Sequence, residues 1–144
     1  MSEWPPDLVD IARRLFTSTS ARDWEEFVTL IHPDAVIELR SETGRIIHGR
    51  AEMEEFARSV ISTRRAHEIT VDTIEQLDDD AVVALGRLFV SDSRGVSDAR
   101  VGWLMLFEDG MLRRSLLVDS VASARAALDA RRVQGLPVGP DLPP

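Results

Sequence analysis

The apolar positions in the first part of the chain repeat with the period of a helix. Apolar residues recur at steps of three and four over 8–16, 24–31 and 53–61, so each stretch presents one hydrophobic face. Residues that begin or end helices bound these stretches, and a short run of alternating polarity between the second and the third predicts a strand. The bounding residues are Pro5-Pro6-Asp7, His32-Pro33-Asp34 and Gly49, and the strand covers 35–40, followed by a turn over 41–45.

The second half of the chain has the shorter period of β-strands. Apolar and polar residues alternate in the first of four runs, and turn residues separate it from three longer apolar runs. Asp109-Gly110 between two apolar runs is a strong hairpin signal. Ile74 and Leu77 depart from the alternation of their strand, which predicts a β-bulge near Thr73. The predicted strands are 67–77, 81–92, 100–108 and 111–118, and a last helix follows over 121–128.

The strand over 100–108 is apolar on both parities, whereas a strand with one wet face alternates. Val101 and Trp103 share one face, which we expect to look into the core or into a pocket. The other face is also apolar and needs a cover, so the sequence predicts a homodimer formed through this outer face of the sheet. The outer face consists of Leu104, Leu106, Leu116 and Val118.

The order of these elements predicts an α+β domain. We expect the three helices of the N-terminal half to pack against one face of a curved antiparallel sheet, which leaves a cone with a mouth. A short C-terminal helix follows the sheet. Residues 1–132 are predicted to form this single domain, and residues 133–144, which are rich in Pro and Gly, are predicted to be a flexible tail.

Composition excludes several classes of function. A net charge of −8 argues against a surface for nucleic acid or anionic membrane. The chain has no cysteine, which excludes disulfides, thiolate metal sites and a cysteine nucleophile. Three histidines without helical pairing predict no metal site. No apolar run is as long as a membrane span, and the N-terminus lacks the features of a signal peptide, so we expect a cytoplasmic protein.

Four short motifs follow one another at characteristic spacings. They are Asp23-Trp24-Glu25-Glu26-Phe27 leading to His32-Pro33-Asp34-Ala35-Val36, then His48-Gly49-Arg50, Asp79-Asp80-Ala81-Val82 and Phe107-Glu108-Asp109-Gly110. In this order they resemble the nuclear transport factor 2-like superfamily, in the branch of SnoaL-like polyketide cyclases and ketosteroid isomerase. The resemblance covers about residues 8–120 and implies the cone fold. It does not fix a reaction, because this fold hosts many functions.

The catalytic residues of ketosteroid isomerase have no counterpart here. That chemistry needs a carboxylate base on the first strand, and a tyrosine and a protonated aspartate that bind an enolate oxygen. By the resemblance, these positions fall on Leu39, near Leu15 and near Trp103. All three residues are apolar and the chain contains no tyrosine, so the sequence excludes this mechanism.

The candidate catalytic residues are polar side chains on strands that are predicted to point into the cone. The resemblance implies that Arg87 and Phe89 face the pocket, where an unpaired guanidinium costs on the order of several kcal/mol. His67 begins its strand on the face of the apolar residues, and Ser115 and Asp119 have the inward parity of the last strand. The same residues are also consistent with a structural Arg87–Asp119 ion pair, with Asp119 as a helix cap and with His67 as a core histidine.

Three hypotheses of function follow. The first is a cofactor-independent SnoaL-like enzyme, an isomerase, cyclase or dehydratase, that acts on an apolar carbonyl-containing substrate. In it Arg87 holds the developing oxyanion, and His67 or Asp119 moves the proton. The second is a non-catalytic dimeric protein that binds an apolar ligand in the same cavity, and the third is a dimerisation module with a filled cone. The predicted substrate-binding residues are Trp103, Ser115, Phe89, Leu39, Phe56 and His48.

Overall fold

The computed structural model describes residues 7–39 and 46–133, the last three by their backbone alone. The predicted turn over 41–45, the Pro5-Pro6 helix start and the predicted tail beyond Val133 lie outside these residues. The described elements are α1 (Leu8–Ala21), α2 (Trp24–Thr29), β1 (Ile31–Glu38), β2 (Ile46–His48), α3 (Arg50–Ser59), a 3₁₀ helix (Ile61–Thr63), β3 (Ala66–Asp78), β4 (Ala81–Asp92), β5 (Gly95–Glu108), β6 (Met111–Val118) and α4 (Val121–Val133).

The six described strands form one curved, unclosed sheet in the order β2-β1-β6-β5-β4-β3. Neighbouring strands are antiparallel except β1 and β6, which are parallel. The helices α1, α2 and α3 lie against the inner face, and their apolar stripes form one core with the inward residues of the sheet. The predicted α+β architecture, with helices in the N-terminal half and a short helix at the end, is confirmed.

Helix α1 continues past the predicted end at Phe16 as far as Ala21, and the hydroxyl groups of its last turns are satisfied within the helix. Ser18 and Thr19 are buried and both donate to the carbonyl oxygen of Leu15, at 3.0 and 2.8 Å. The hydroxyls are thus satisfied inside the helix and do not compete with it. Arg22 then adopts a left-handed conformation with φ of 56°, which ends the helix.

Strand β1 begins earlier than the predicted residue 35. Ile31 pairs with Leu112 of β6, and the amide of Leu112 donates to the carbonyl oxygen of Leu30 at 2.8 Å. The guanidinium of Arg50 donates to the carbonyl oxygen of Ile31 at 2.7 Å. Pairing with a distant strand therefore draws residues 31–34 into the sheet, although Pro33 alone reads as a break.

The apolar outer positions of β5 and β6 are covered by this chain's own helix α4. Leu104 and Leu106 are buried against Ala124 and Leu128 of that helix, with Leu116 and Val118 packed at the edge of the same cluster. The prediction that these leucines face away from the cone is therefore right, but a second copy is not needed to cover them. Homodimerisation stays a prediction, but the apolar outer face no longer argues for it.

In the described part of the chain, every helix is too short or too polar to span a bilayer.

The register of β4 against β5 decides which residues point into the cone. Asp92 pairs with Gly95 at the turn, so Ala84 lies opposite Trp103 and Arg87 lies opposite Arg100. Directly paired residues share a face of the sheet. On β4 the residues that point into the cone are therefore Ala84, Leu88 and the others of the same parity. The prediction that Arg87 points inward is wrong.

Candidate functional site

A cavity of about 1030 Å³ lies between the inner face of the sheet and the three N-terminal helices. Ligand pockets commonly span roughly 300–1,000 Å³, so this cavity is large enough for a polycyclic molecule. Its deep wall is apolar, because β5 contributes alternate side chains from one side and helix stripes contribute the other. Prominent wall residues are Leu15, Phe27, Met53, Phe56, Val101 and Met105.

Trp103 is the largest side chain of the sheet wall. It is half-buried, and its ring lies 5.1 Å from the ring of Phe16 at an interplanar angle of 59°. A tilted arrangement at this distance is favourable for two aromatic rings. The contact fixes the indole against α1, so one part of the ring packs on the helix and the rest borders the cavity.

His67 is the histidine that borders the cavity. It is the second residue of β3 and pairs with Val90, so it lies where the sheet reaches the mouth of the cone. Its Nδ1 atom is buried without a hydrogen-bond partner. Burial, followed by the positive charges of Arg64 and Arg22, lowers the pKa of His67 from 6.5 to about 4. The ring is therefore neutral at physiological pH and has an atom that a bound molecule can satisfy.

The mouth of the cavity carries charged side chains that the sequence patterns did not single out. Arg64 follows the 3₁₀ helix, and Asp92 and Arg94 come from the β4–β5 turn. The Arg64 guanidinium carbon lies 5.6 Å from the ring centre of Phe56, within the range of a cation–π contact. Burial lowers the pKa of Arg64, which stays positively charged. The pairing of Ala66 with Ser91 brings these segments together, and no local pattern in the sequence signals it.

Three further predicted residues also border the cavity, and their roles stay predictions. Ser115 is buried on β6 opposite Met105 and Ile37, which places it in the deep part of the cone. Leu39 follows β1, and Phe56 is buried on α3. With His67 and Trp103, the cavity thus contains five of the nine predicted site residues.

Arg87 is on the outer face of the sheet, which corrects its predicted place in the pocket. Its Nη2 atom lies 3.0 Å from Oδ2 of Asp98, and both side chains are about half exposed. The partner is Asp98 and not the suggested Asp119. Phe89 shares this outward parity and is likewise not a cavity residue, because its directly paired residue is Asp98. Neither residue can touch a molecule bound in the cone.

His48 and Asp119 also lie away from the cavity, contrary to prediction. His48 is exposed on the edge strand β2, where it pairs with Val36. Asp119 is exposed just after β6, and its amide donates to the hydroxyl of Ser123 at 3.1 Å. The cap of α4 is Ser120, whose hydroxyl accepts from the amide of Ser123 at 3.1 Å. The strand therefore ends before its inward parity reaches Asp119.

Two groups of described side chains near the surface have the composition of a metal site, the three adjacent acids Asp78, Asp79 and Asp80 and a group that contains a histidine. His32, Glu108 and Asp109 have ligand atoms within 4.8 Å of one another. Both nitrogens of His32 are already engaged, since Nδ1 accepts from the amide of Asp34 at 3.0 Å and Nε2 lies 3.0 Å from Glu108. The group is thus explained by pairing within the chain, and none of its three residues borders the cavity.

Comparison with known proteins identifies the family of this chain. The sequence profile of the SnoaL-like domain matches residues 12–115, which is most of the chain. This chain belongs to the SnoaL-like domain family. The resemblance indicated by the four motifs is thereby confirmed. Comparison with functionally curated proteins gives no match.

Solved structures with the same fold as this SnoaL-like protein include three instructive cases. RV0760c from Mycobacterium tuberculosis, in complex with estradiol-17beta-hemisuccinate, is 18% identical, with a TM-score of 0.68 over 81% of this chain and 95% of that one. Delta 5-3-ketosteroid isomerase from Mycobacterium sp. is 16% identical, with a TM-score of 0.66 over 81% and 95%. An NTF2-like protein of unknown function from Burkholderia pseudomallei is 19% identical, with a TM-score of 0.68 over 85% and 94%. At these identities the likeness shows the fold alone.

The SnoaL-like cavity is apolar at the positions that the resemblance assigns to isomerase chemistry. Leu15, Leu39 and Trp103 all border the cavity, so these three positions contribute no polar group to its wall. The polar groups of the described lining include His67, Ser115, Glu38 and the charged side chains at the mouth. A molecule bound in this cone would contact a hydrophobic wall, a neutral imidazole and positively charged side chains near the entrance.

Proposed function

We propose that this SnoaL-like protein binds an apolar small molecule inside its cone. The observation that carries the proposal is the cavity of about 1030 Å³ with an apolar wall and few polar groups. An apolar molecule gains roughly 25 cal/mol for each Å² that it removes from water, so such a wall favours a hydrophobic ligand. Family membership supports the same conclusion, and RV0760c, which has this fold, was solved with a steroid derivative.

Two neighbouring residues of β4 provide a matched test of binding. Leu88 borders the cavity near its mouth, whereas Phe89 lies on the outer face. The probe is N-phenyl-1-naphthylamine, a neutral apolar fluorophore whose emission rises in apolar surroundings. Leu88→Arg is expected to abolish the saturable rise, because it places a charge in the ligand's volume, and Phe89→Arg is expected to preserve it.

As a control, circular dichroism and unfolding curves are recorded to check that both variants are folded. Leu88 is partly exposed, so its replacement does not bury a charge in the closed core. Equal binding by the two variants would mean that the probe lies outside the cone. Absence of saturable binding to the unaltered protein would also refute the proposal.

A second candidate function, cofactor-independent acid–base catalysis, is favoured by His67. With Arg87 and Asp119 outside the cavity, His67 is the remaining predicted catalytic residue that a bound substrate can reach. Its lowered pKa keeps the imidazole in the proton-accepting form. In the proposed step a ring nitrogen takes a proton from the carbon beside a carbonyl, and the C–H electron pair moves into the enolate.

Hydrogen exchange of 2-tetralone, an apolar bicyclic ketone, tests this step. In D₂O the imidazolium exchanges its proton with solvent and returns a deuteron to the carbon, so the α-protons disappear from the NMR spectrum. We expect the unaltered protein to accelerate exchange and His67→Gln to lose the acceleration while binding N-phenyl-1-naphthylamine as before. Binding without accelerated exchange in either protein would leave the non-catalytic function and overturn the catalytic one.

A further inference from the structure

Three guanidinium groups surround the mouth of the cone. Arg64 and Arg94 border the cavity, and Arg22 lies close enough for its charge to act on both Arg64 and His67. Arg22 is held in place by a hydrogen bond of 2.9 Å from its Nη1 atom to the carbonyl oxygen of Ile61. The positive charges therefore come from three separate segments, which the fold brings to one place.

One carboxylate, Asp92, faces these cations among the described groups that act on Arg64. It accepts from the amide of Arg94 at 2.8 Å, and the Arg94 side chain lies 3.9 Å from its other oxygen. Its charge also acts on Arg64. Glu38 borders the cavity as well, but its charge acts on Arg114. The mouth thus has more positive than negative charge, although the whole chain has a net charge of −8.

Arg64 is the cation best placed to bind something in the cavity. Its Nε atom is buried without a hydrogen-bond partner, and its guanidinium packs beside the ring of Phe56 on the cavity wall. A buried donor without a partner is costly, and a ligand acceptor removes that cost. The charges of Arg64 and Arg22 also reach the neighbouring imidazole, where they add to the burial that lowers the pKa of His67.

We propose that Arg64, with Arg22 and Arg94 around it, binds the anionic group of an amphipathic ligand whose apolar part fills the cone. A carboxylate, sulfonate or phosphate fits, because each offers oxygen acceptors to a planar guanidinium. This inference rests on the proposed function, since it names the class of molecule that the cavity takes. It places the ligand's charged end at the mouth and its hydrophobic end toward Trp103.

Two fluorophores that differ by one group test the inference. 1-Anilinonaphthalene-8-sulfonate is N-phenyl-1-naphthylamine with an added sulfonate, so the pair isolates the anionic group. Both are titrated into the unaltered protein and into Arg64→Met, Arg64→Lys and Arg100→Met. Arg100 is exposed, with its guanidinium 3.6 Å from Asp72 on the outer face, so its variant controls for net charge.

The expected result is a selective loss of affinity for the sulfonate. Arg64→Met should weaken its binding by about tenfold, in keeping with one charge-assisted hydrogen bond at a partly exposed site. Arg64→Lys should recover part of the loss, and Arg100→Met should have no effect on either probe. Arg64→Met should change the affinity for the neutral probe far less than the affinity for the sulfonate. In addition, the bound sulfonate should raise the pKa of His67, followed by NMR, whereas the neutral probe should not.

The outcomes separate this inference from the function on which it rests. If both probes bind and Arg64→Met changes neither affinity, or changes both equally, the anionic site is refuted while the apolar cavity stands. If Arg100→Met weakens the sulfonate as much as Arg64→Met does, net charge explains the effect and the site is also refuted. If neither probe binds the unaltered protein, the proposed function itself fails.

Discussion

Stability of the protein should fall as the pH drops from neutral to mildly acidic values, and His67 should account for a measurable part of the fall. The pKa of this histidine is about 4 in the folded chain against 6.5 for an unperturbed imidazole. Between pH 6.5 and about pH 4, His67 is protonated in the unfolded chain but stays neutral in the folded chain. The stabilising contribution of neutral His67 is therefore complete above pH 6.5 and is lost progressively down to pH 4.

The size of this contribution follows from the difference between the two pKa values. Each pKa unit corresponds to about 1.4 kcal/mol, which gives on the order of 3 kcal/mol for complete burial. His67 is only half-buried, so solvent screening reduces the expected effect to roughly 1–2 kcal/mol. Burial is the larger cause, with Arg64 and Arg22 adding to it, so removing one arginine should restore only part of the ordinary value.

Urea unfolding of the unaltered protein and of His67→Gln at pH 7.0 and about pH 4.5 isolates the effect, because carboxylates common to both proteins cancel. We expect the unaltered protein to lose more stability than His67→Gln over this interval, by about 1–2 kcal/mol. A pH titration of the imidazole Hε1 resonance, assigned by its absence in the variant, gives the pKa directly. A midpoint near 6.5, or identical pH dependence of stability in both proteins, would refute the environment assigned to His67.

Three further substitutions test the packing around the cone. Gly86→Ala should destabilise the protein by more than about 2 kcal/mol in urea unfolding, because a Cβ there would lie 1.9 Å from the carbonyl oxygen of Thr70; a neutral effect would contradict the close approach of β3 and β4. Leu128→Ala should cost roughly 2–4 kcal/mol, since it opens the cluster that α4 forms over the sheet, and a loss under about 0.5 kcal/mol would mean that α4 is not docked. Arg87→Met should change stability by less than about 1 kcal/mol and leave binding of N-phenyl-1-naphthylamine intact, whereas lost binding would return Arg87 to the cavity.

The hydrophobic pattern of the sequence predicted those helices and strands that have one buried face and one solvent-exposed face. The stripe of α1 and the alternation of β3 each separate apolar from polar residues, so their buried faces follow from periodicity. The irregularity of Ile74 and Leu77 predicted a bulge near Thr73, and a register shift between Val71 and Thr73 confirms it. The hairpin at Asp109-Gly110 is likewise confirmed, with Glu108 pairing with Met111 across it.

The orientation of β4 could not be predicted from its own sequence. Both parities of this strand are largely apolar, because its inner face borders the cone and part of its outer face packs under α4. The resemblance then assigned the wrong parity and placed Arg87 inside. Counting back from the two-residue turn at Ser93-Arg94 gives the correct answer, since it pairs Arg87 with Arg100 and leaves Ala84 opposite Trp103.

The charged mouth was missed because its members are distant in sequence and each has an ordinary local explanation. Arg64 reads as a basic residue at a helix end, and Arg94 reads as a turn residue. Only the pairing of β3 with β4 and of β4 with β5 brings them beside His67. Tertiary register, and not local pattern, creates the electrostatics of this site.

A crystal structure of the protein with N-phenyl-1-naphthylamine bound is the most direct test of the central claim that the cone holds an apolar ligand. We expect ring density inside the cavity, between Trp103 on the sheet and Phe56 on α3, with Arg87 and Asp98 paired on the opposite face. Density for the probe on the outer face, or a cone closed by its own side chains, would contradict it.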